Sequence, residues 1–293
     1  MKSIIAIAVV SACANPAAPP VPGPVSPTVA PTPAPTSVRR DVELTAVANG
    51  LYWDAGDRAL YMTDAARNEL VAWTDDKGVT DVAALPAMPK VELGGITRTA
   101  DGTFVIASFG FGTDGAIITV GADHHASTVP GLDKARRRLG VTRGPDGALY
   151  DAYFVVADHV HTGGVAQLDL AKGETDLVTQ GLNKVVGVAA TPAGVFVSDQ
   201  ESNAIYAIDH GALKPLVSGL PGVDLLTALP DGSIVTGGKS GVVTKVAPDG
   251  TQTQIASGLG EVRGTAYDPA GHRLFVVDKP KAGGNHMLHV LPL

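Results

Sequence analysis

Hydrophobic positions in residues 49–73, NGLYWDAGDRALYMTDAARNELVAW, fall in three short runs separated by polar or glycine-containing turns. Within the runs, apolar and polar side chains alternate with the two-residue period of half-buried strands, which predicts strands over 51–54, 59–64 and 69–74. The same alternation recurs in VVTKV (242–246) and IYAI (205–208). No useful window keeps a helical period; residues 133–139 leave room for one turn at most.

The strand–turn–strand order repeats along the chain. Its turn glycines are Gly56, Gly102, Gly147, Gly194, Gly232 and Gly271, spaced 46, 45, 47, 38 and 39 residues apart, near the length of one four-stranded propeller blade. Asp-Gly in three of these turns supplies the positive φ of a two-residue hairpin. A Gly-Leu pair follows the expected outer strands at 131–132, 181–182, 219–220 and 258–259, and again at 50–51, before the first blade begins. The last blade ends after a third strand over 287–291, so residues 42–47 are expected to supply its outer strand. Joining first and last repeats in this way removes the open sheet edges. The expected fold class is all-β: a six-bladed β-propeller over 41–293, closed by an N-terminal outer strand.

Composition adjusts this picture at the N-terminus. Lys2, the apolar run 4–10 and Val10-Ser11-Ala12-Cys13 match a lipoprotein signal whose cysteine receives the lipid, which makes 1–12 a signal peptide. The chain has 1 cysteine, Cys13, so neither a disulfide framework nor a cysteine zinc cluster is available. Residues 16–35 hold nine prolines among small residues. That composition favours an extended tether over 13–40, able to reach roughly 80 Å at about 3.1 Å per residue. A lipidated Cys13 would hold the protein at a membrane by acyl chains alone; by resemblance to other lipoproteins, in which an Asp at the next position retains the protein in the inner membrane, Ala14 implies the outer membrane where one exists. Elsewhere, no run reaches the 18 or so apolar residues of a spanning helix. A net charge of −7 argues against a nucleic-acid partner.

A propeller chain runs out along the first strand of each blade and back along the second. One end of the ring, here the top, therefore gathers the approaches to the first strands and the loops between second and third strands. Asn49, Phe109, Tyr153, Asp199, Asp224 and Arg263 are expected there as ligand-binding residues. His159 and His161, in a long top loop, are candidate proton carriers if the backbone is extended, because alternate residues then share a side. Lys134, Arg136, Arg137, Arg138, Lys184, Lys239 and Arg263 would attract an anionic small molecule. Asp123-His124-His125 looks like a metal cluster, but it falls at the opposite end, and adjacent residues in an exposed turn point apart. GGKSG at 237–241 joins two strands and opens no helix, so it is not a phosphate loop.

NGLYWDAGDRALYMTD resembles the opening blade of the gluconolactonase and senescence-marker (regucalcin-like) family, whose pattern is Glu-Gly-Pro-x-Trp-Asp, a turn, then Leu-Tyr-x-x-Asp. The blades also resemble NHL repeats. The resemblance spans 41–293 and implies a central divalent metal at the top, often calcium. Its ligand positions fall on Asn49, which keeps an oxygen without the charge, on Asp224, which keeps the carboxylate, and on Val186, which cannot coordinate. The equivalent place in the last blade holds Arg263. Two readings follow: a metal on Asn49 and Asp224, or an ion pair of Asp224 with Arg263. At roughly 4 Å that pair would gain about 4 kcal/mol at an effective dielectric near 20, before desolvation.

Two functions fit these residues. The first is an envelope-anchored propeller that captures a small molecule or partner at its top. The second is a calcium-type, metal-dependent hydrolase of a lactone or ester.

Overall fold

The computed structural model describes residues 39–90 and 92–293; the signal, Cys13 and nearly all of the proline-rich tether lie outside them. Six four-stranded antiparallel sheets make the six blades of a β-propeller. The first blade comprises Ala48–Asp54, Ala59–Asp64, Glu69–Thr74 and Gly78–Ala84, matching the strands read from the alternation apart from an earlier start to the first. In place of a helical turn at 133–139, the chain enters the strand Arg137–Arg143, and among the described residues a single 3-10 turn occurs, at Gly110–Gly112.

The ring closes as expected, with a shifted boundary. Arg40–Glu43 pairs with Met287–Pro292, placing Arg40 opposite Val290 and Glu43 opposite Met287. Beyond Glu43 the chain leaves the sheet, but Leu44 and Ala46 are buried with Phe275, Val277 and Leu288 between the first and last blades. Apolar clusters of this kind fill the spaces between blades, where neighbouring sheets face one another.

The innermost strands come so close at the axis that side chains are excluded from one level. A Cβ on Gly50 would strike the Gly94 carbonyl, one on Gly94 the Leu139 carbonyl, and one on Gly264 the Asn49 carbonyl. Glycine at these positions lets the backbones of adjacent blades touch.

Candidate functional site

Each blade's first strand breaks register with its second at one place. The irregularities fall between Ala48 and Leu51, Leu93 and Ile96, Arg138 and Gly140, Val185 and Gly187, Val223 and Leu226, and Val262 and Gly264. A bulge inserts an unpaired residue and re-aims its side chain. Asn49, Gly94, Leu139, Val186, Asp224 and Arg263 lie at these breaks, one from each blade, and form a ring at the top of the axis. The ring is divided. Blades five, six and one are consecutive around the closed propeller and supply Asp224, Arg263 and Asn49. Blades three and four supply Leu139 and Val186, which pack with Phe154 and, at their edge, Phe109 and Val156. Blade two supplies Gly94, leaving room for the Asn49 amide to donate to the Leu93 carbonyl at 2.7 Å.

Asp224 is the most perturbed group on the polar side. It is 7% exposed, and its pKa is pushed up to about 6, chiefly by burial and against the pull of Arg263. One carboxylate oxygen accepts the Leu225 N–H at 3.0 Å; the other lies 3.9 Å from Arg263 Nη1. The expected pairing is therefore present as a long contact, and Arg263 is nearer to Glu261, at 3.0 Å. Its other terminal nitrogen is 3.8 Å from Glu92. Lys184 hydrogen-bonds to Gln200 at 2.8 Å; burial first, then Lys239, holds its pKa below the usual lysine value. Asn49 is 5% exposed, and its Oδ1 has no hydrogen-bond partner.

Other expected site residues are placed elsewhere. Asp199 is fully buried and structural: it accepts the backbone N–H groups of Asn183, Lys184, Glu201 and Ser202, fastening its loop. Tyr153 turns outward within blade three, donating to Asp176 at 2.8 Å beneath the Arg136 guanidinium. Arg136 and Arg138 join the same internal network with Glu174, and Arg138 also pairs with the buried Asp151. Strand alternation sends only Arg137 the other way, over Phe109 and Phe154. The expected cationic excess is thus reduced: Lys184, Lys239 and Arg263 face Glu92, Asp224 and Glu261, while Arg137, over Phe109 and Phe154, has no carboxylate within ion-pair distance among the described residues.

The two histidines do not form an extended pair. The segment around them is a long hairpin, Leu149–Ala157 with Val160–Asp169, turning through Asp158 and His159, both at positive φ. The turn breaks the alternation, leaving His159 exposed at the tip. His161 pairs with Glu201 at 2.8 Å and lies edge-on to Phe154 at 5.2 Å. Neither imidazole hydrogen-bonds to Asn49, Asp224 or Arg263. Phe109 is half-buried against Phe111 and Phe154 at the rim of the apolar wall. At the far end of the axis a funnel of about 480 Å³ is lined by Tyr52, Trp53, Tyr267 and several prolines. Arg143 is its only charged lining residue, so it offers no acid–base pair.

The donors do not fit a calcium ion. Such an ion takes six to eight oxygens, several of them carboxylate. The ring itself offers the Asn49 amide oxygen and the Asp224 carboxylate, Leu139 and Val186 offer none, and a permanent positive charge stands beside Asp224. Among the described residues, no group of three or more His, Cys, Asp or Glu is arranged to hold a metal ion.

The fold and the divided ring define the class, a six-bladed propeller with one amphipathic mouth. Solved structures share this architecture at low sequence identity. A gluconolactonase from Xanthomonas campestris superposes with a TM-score of 0.68 and 19% identity, covering 87% of this chain and 90% of its own. A luciferin-regenerating enzyme gives 0.67 and 15%, covering 87% and 95%. Regucalcin from Agrobacterium tumefaciens, described as a calcium-binding protein, gives 0.66 and 15%, covering 86% and 93%. No protein-family profile and no curated protein sequence matches the chain. At such identities the likeness establishes the fold alone.

Proposed function

We propose that the chain hydrolyses a small lactone or ester at the divided ring, using Asp224 as general base. The observation that carries this reading is a buried carboxyl with a pKa of about 6 beside a fixed guanidinium, at the mouth of the axis. A base poised near neutral pH is what general-base catalysis needs. Asp224 takes a proton from water as that water attacks the carbonyl carbon. Arg263 and Lys184 stabilise the oxyanion that forms. Collapse of the adduct breaks the carbon–oxygen bond to the leaving group, and the departing alkoxide takes the proton back from Asp224. The wall of Leu139, Phe154 and Val186 accommodates the apolar part of the substrate. The gluconolactonase neighbour supports the reaction class.

The test is turnover of a panel of aldonolactones, γ- and δ-alkyl lactones and aryl esters between pH 5 and 8. Expected are an acid limb near pH 6 in kcat/KM, a loss of at least about 100-fold in Asp224→Asn, and an upward move of the limb in Arg263→Met, because the guanidinium holds the Asp224 pKa down. Saturable binding without turnover would instead support a capture protein. Full activity in Asp224→Asn would sink the proposal.

The sequence also supports anchoring the propeller at the outer surface of a membrane through lipidated Cys13 and the 13–40 tether. Palmitate labelling of the full chain, lost in Cys13→Ser together with membrane association, is the expected result; unlabelled, soluble wild-type protein would exclude it.

A further inference from the structure

We infer that the funnel at the far end of the axis is a second binding site, which takes a small aromatic monocarboxylate with its charge on Arg143. All six blades contribute to this cavity of about 480 Å³, a volume within the roughly 300–1,000 Å³ of small-molecule sites. Leu51, Ile96, Val141 and Leu226, all buried, close its inner end. The first three directly follow glycines at which adjacent blades touch, so this collar stands between the funnel and the mouth. Pro145, Pro192, Pro230 and Pro269 lie at the turns of blades three to six, and their fixed φ holds the rim in one shape. Tyr52 and Tyr267, from the adjoining blades one and six, supply aromatic surface for a ring to pack on.

Arg143 sets the charge of the ligand. Arg98 and Arg143 hold the same place in successive blades, each paired with the first residue of its second strand, Phe104 or Leu149. Arg98 is neutralised by carboxylates of the preceding blade, Asp54 at 2.8 Å and Asp57 at 2.7 Å. The blade before Arg143 has Thr99 where the first blade has Asp54. Arg143 therefore has no carboxylate within ion-pair distance among the described residues, and no acid lines the funnel. The aspartates of the neighbouring turns are held elsewhere: Asp146 accepts the Ala148 N–H at 3.1 Å, Asp231 pairs with Lys245, and Asp268 pairs with Arg273. A free guanidinium presents paired N–H donors that match a carboxylate. Burial raises the Tyr52 pKa, and Arg98 and Arg143 oppose that rise, so the Arg143 charge reaches the aromatic side of the funnel. Among the described residues neither the Tyr52 nor the Tyr267 phenol hydrogen-bonds to protein, whereas Tyr61 and Tyr153 donate to Asp57 and Asp176. One unpaired cation among aromatic and proline surfaces selects a single negative charge on an apolar ring; a second charge on the ligand would have no partner.

This site lies at the opposite end of the axis from Asp224 and does not depend on turnover, so it and the proposed hydrolysis can fail separately. The full chain is titrated with benzoate, cinnamate and indoleacetate, and with the corresponding amides, by calorimetry and tryptophan fluorescence. At least one acid is expected to bind saturably, one molecule per chain, and roughly 10–100-fold more tightly than its amide, the weight of a hydrogen-bonded charge. Arg143→Met is expected to lose that factor at an unchanged Tm, because the guanidinium has no protein carboxylate to give up. Arg143→Lys, a point charge without the paired donors, is expected to keep part of the affinity. Should Arg143→Met fail to fold, Arg143→Gln is measured against the same outcomes. Asp224→Asn and Arg137→Met, both altered at the mouth, are expected to bind as wild type. The inference is overturned if none of the acids binds saturably, if acid and amide bind equally, if an uncharged variant at 143 keeps full affinity, or if Arg137→Met abolishes binding.

Discussion

Asp199 and Asp224 belong to neighbouring blades and are both buried, yet their surroundings give them opposite tasks. Asp199 receives several backbone N–H groups and so behaves as part of the loop it fastens. Asp224 receives one N–H and otherwise faces a guanidinium at the limit of ion-pair distance, so burial dominates and its pKa rises. A carboxyl whose pKa is raised by folding lowers stability at pH values above its unfolded pKa. Asp224→Asn is therefore expected to raise Tm at pH 7.5 while removing turnover. Asp199→Ala is expected to lower stability by roughly 2–4 kcal/mol, because it leaves several buried donors unpaired. Paired urea or thermal unfolding of the two variants checks both signs. From sequence the two aspartates looked alike, each at the top of a blade; only the count of donors around each one separates them. Tyr153 was misplaced for a related reason, since composition does not tell which face of a strand meets the axis.

Among the elements, the strands were legible and the bulges were not. Period-two alternation marks a strand directly, and the turn glycines mark its hairpin. A bulge is one extra residue opposite a partner strand, and nothing in Asn49-Gly50, Leu139-Gly140 or Arg263-Gly264 announces it except the following glycine, whose close approach becomes visible only in the assembled ring. The strand that closes the ring carries its own ionic clasp. His289 is held between Asp41, at 2.8 Å, and Asp278, at 3.2 Å. Burial by itself would lower the His289 pKa, but the two carboxylates outweigh it, and the pKa lies above the usual 6.5. The Asp41 pKa is lowered chiefly by its hydrogen bond to Arg39, with His289 adding to it. Burial opposes a lower pKa for Asp278, but His289 and the Gly260 N–H overcome it. The histidine contribution is complete below about pH 6.5 and fades as pH rises through its raised value; the carboxylate contribution is complete above about pH 3.8 and fades as pH falls through their lowered values. The clasp is thus tightest between these limits. His289→Gln is expected to flatten the loss of stability between pH 6 and 8.5, as read from urea midpoints; an unchanged slope would mean that the clasp contributes nothing.

At the scale of the molecule, closure assembles the candidate site. Blade six is built from residues 40–43 and 261–292, so pairing the ends brings the Asn49 blade beside the Arg263 blade. An open arc of the same blades would hold the same bulges without their convergence. Closure also sorts the ring into a charged half from blades five, six and one and an apolar half from blades three and four, the division on which the proposed hydrolysis rests.

The chain's own order of residues determined the number of blades, the approximate strands and the pairing of its ends, because these rest on local periodicity and on turns with a chemical signature. The family resemblance, carried onto the repeat, also brought Asn49, Asp224 and Arg263 forward. What only the folded ring decided was which charges remain available. Arg136 and Arg138 were spent on carboxylates inside blade three, Asp199 was consumed by backbone, and Glu92 and Glu261 joined Arg263 from positions the repeat did not distinguish. Those outcomes depend on distances between residues far apart in the chain, and Coulomb energy follows distance in space, not separation in sequence.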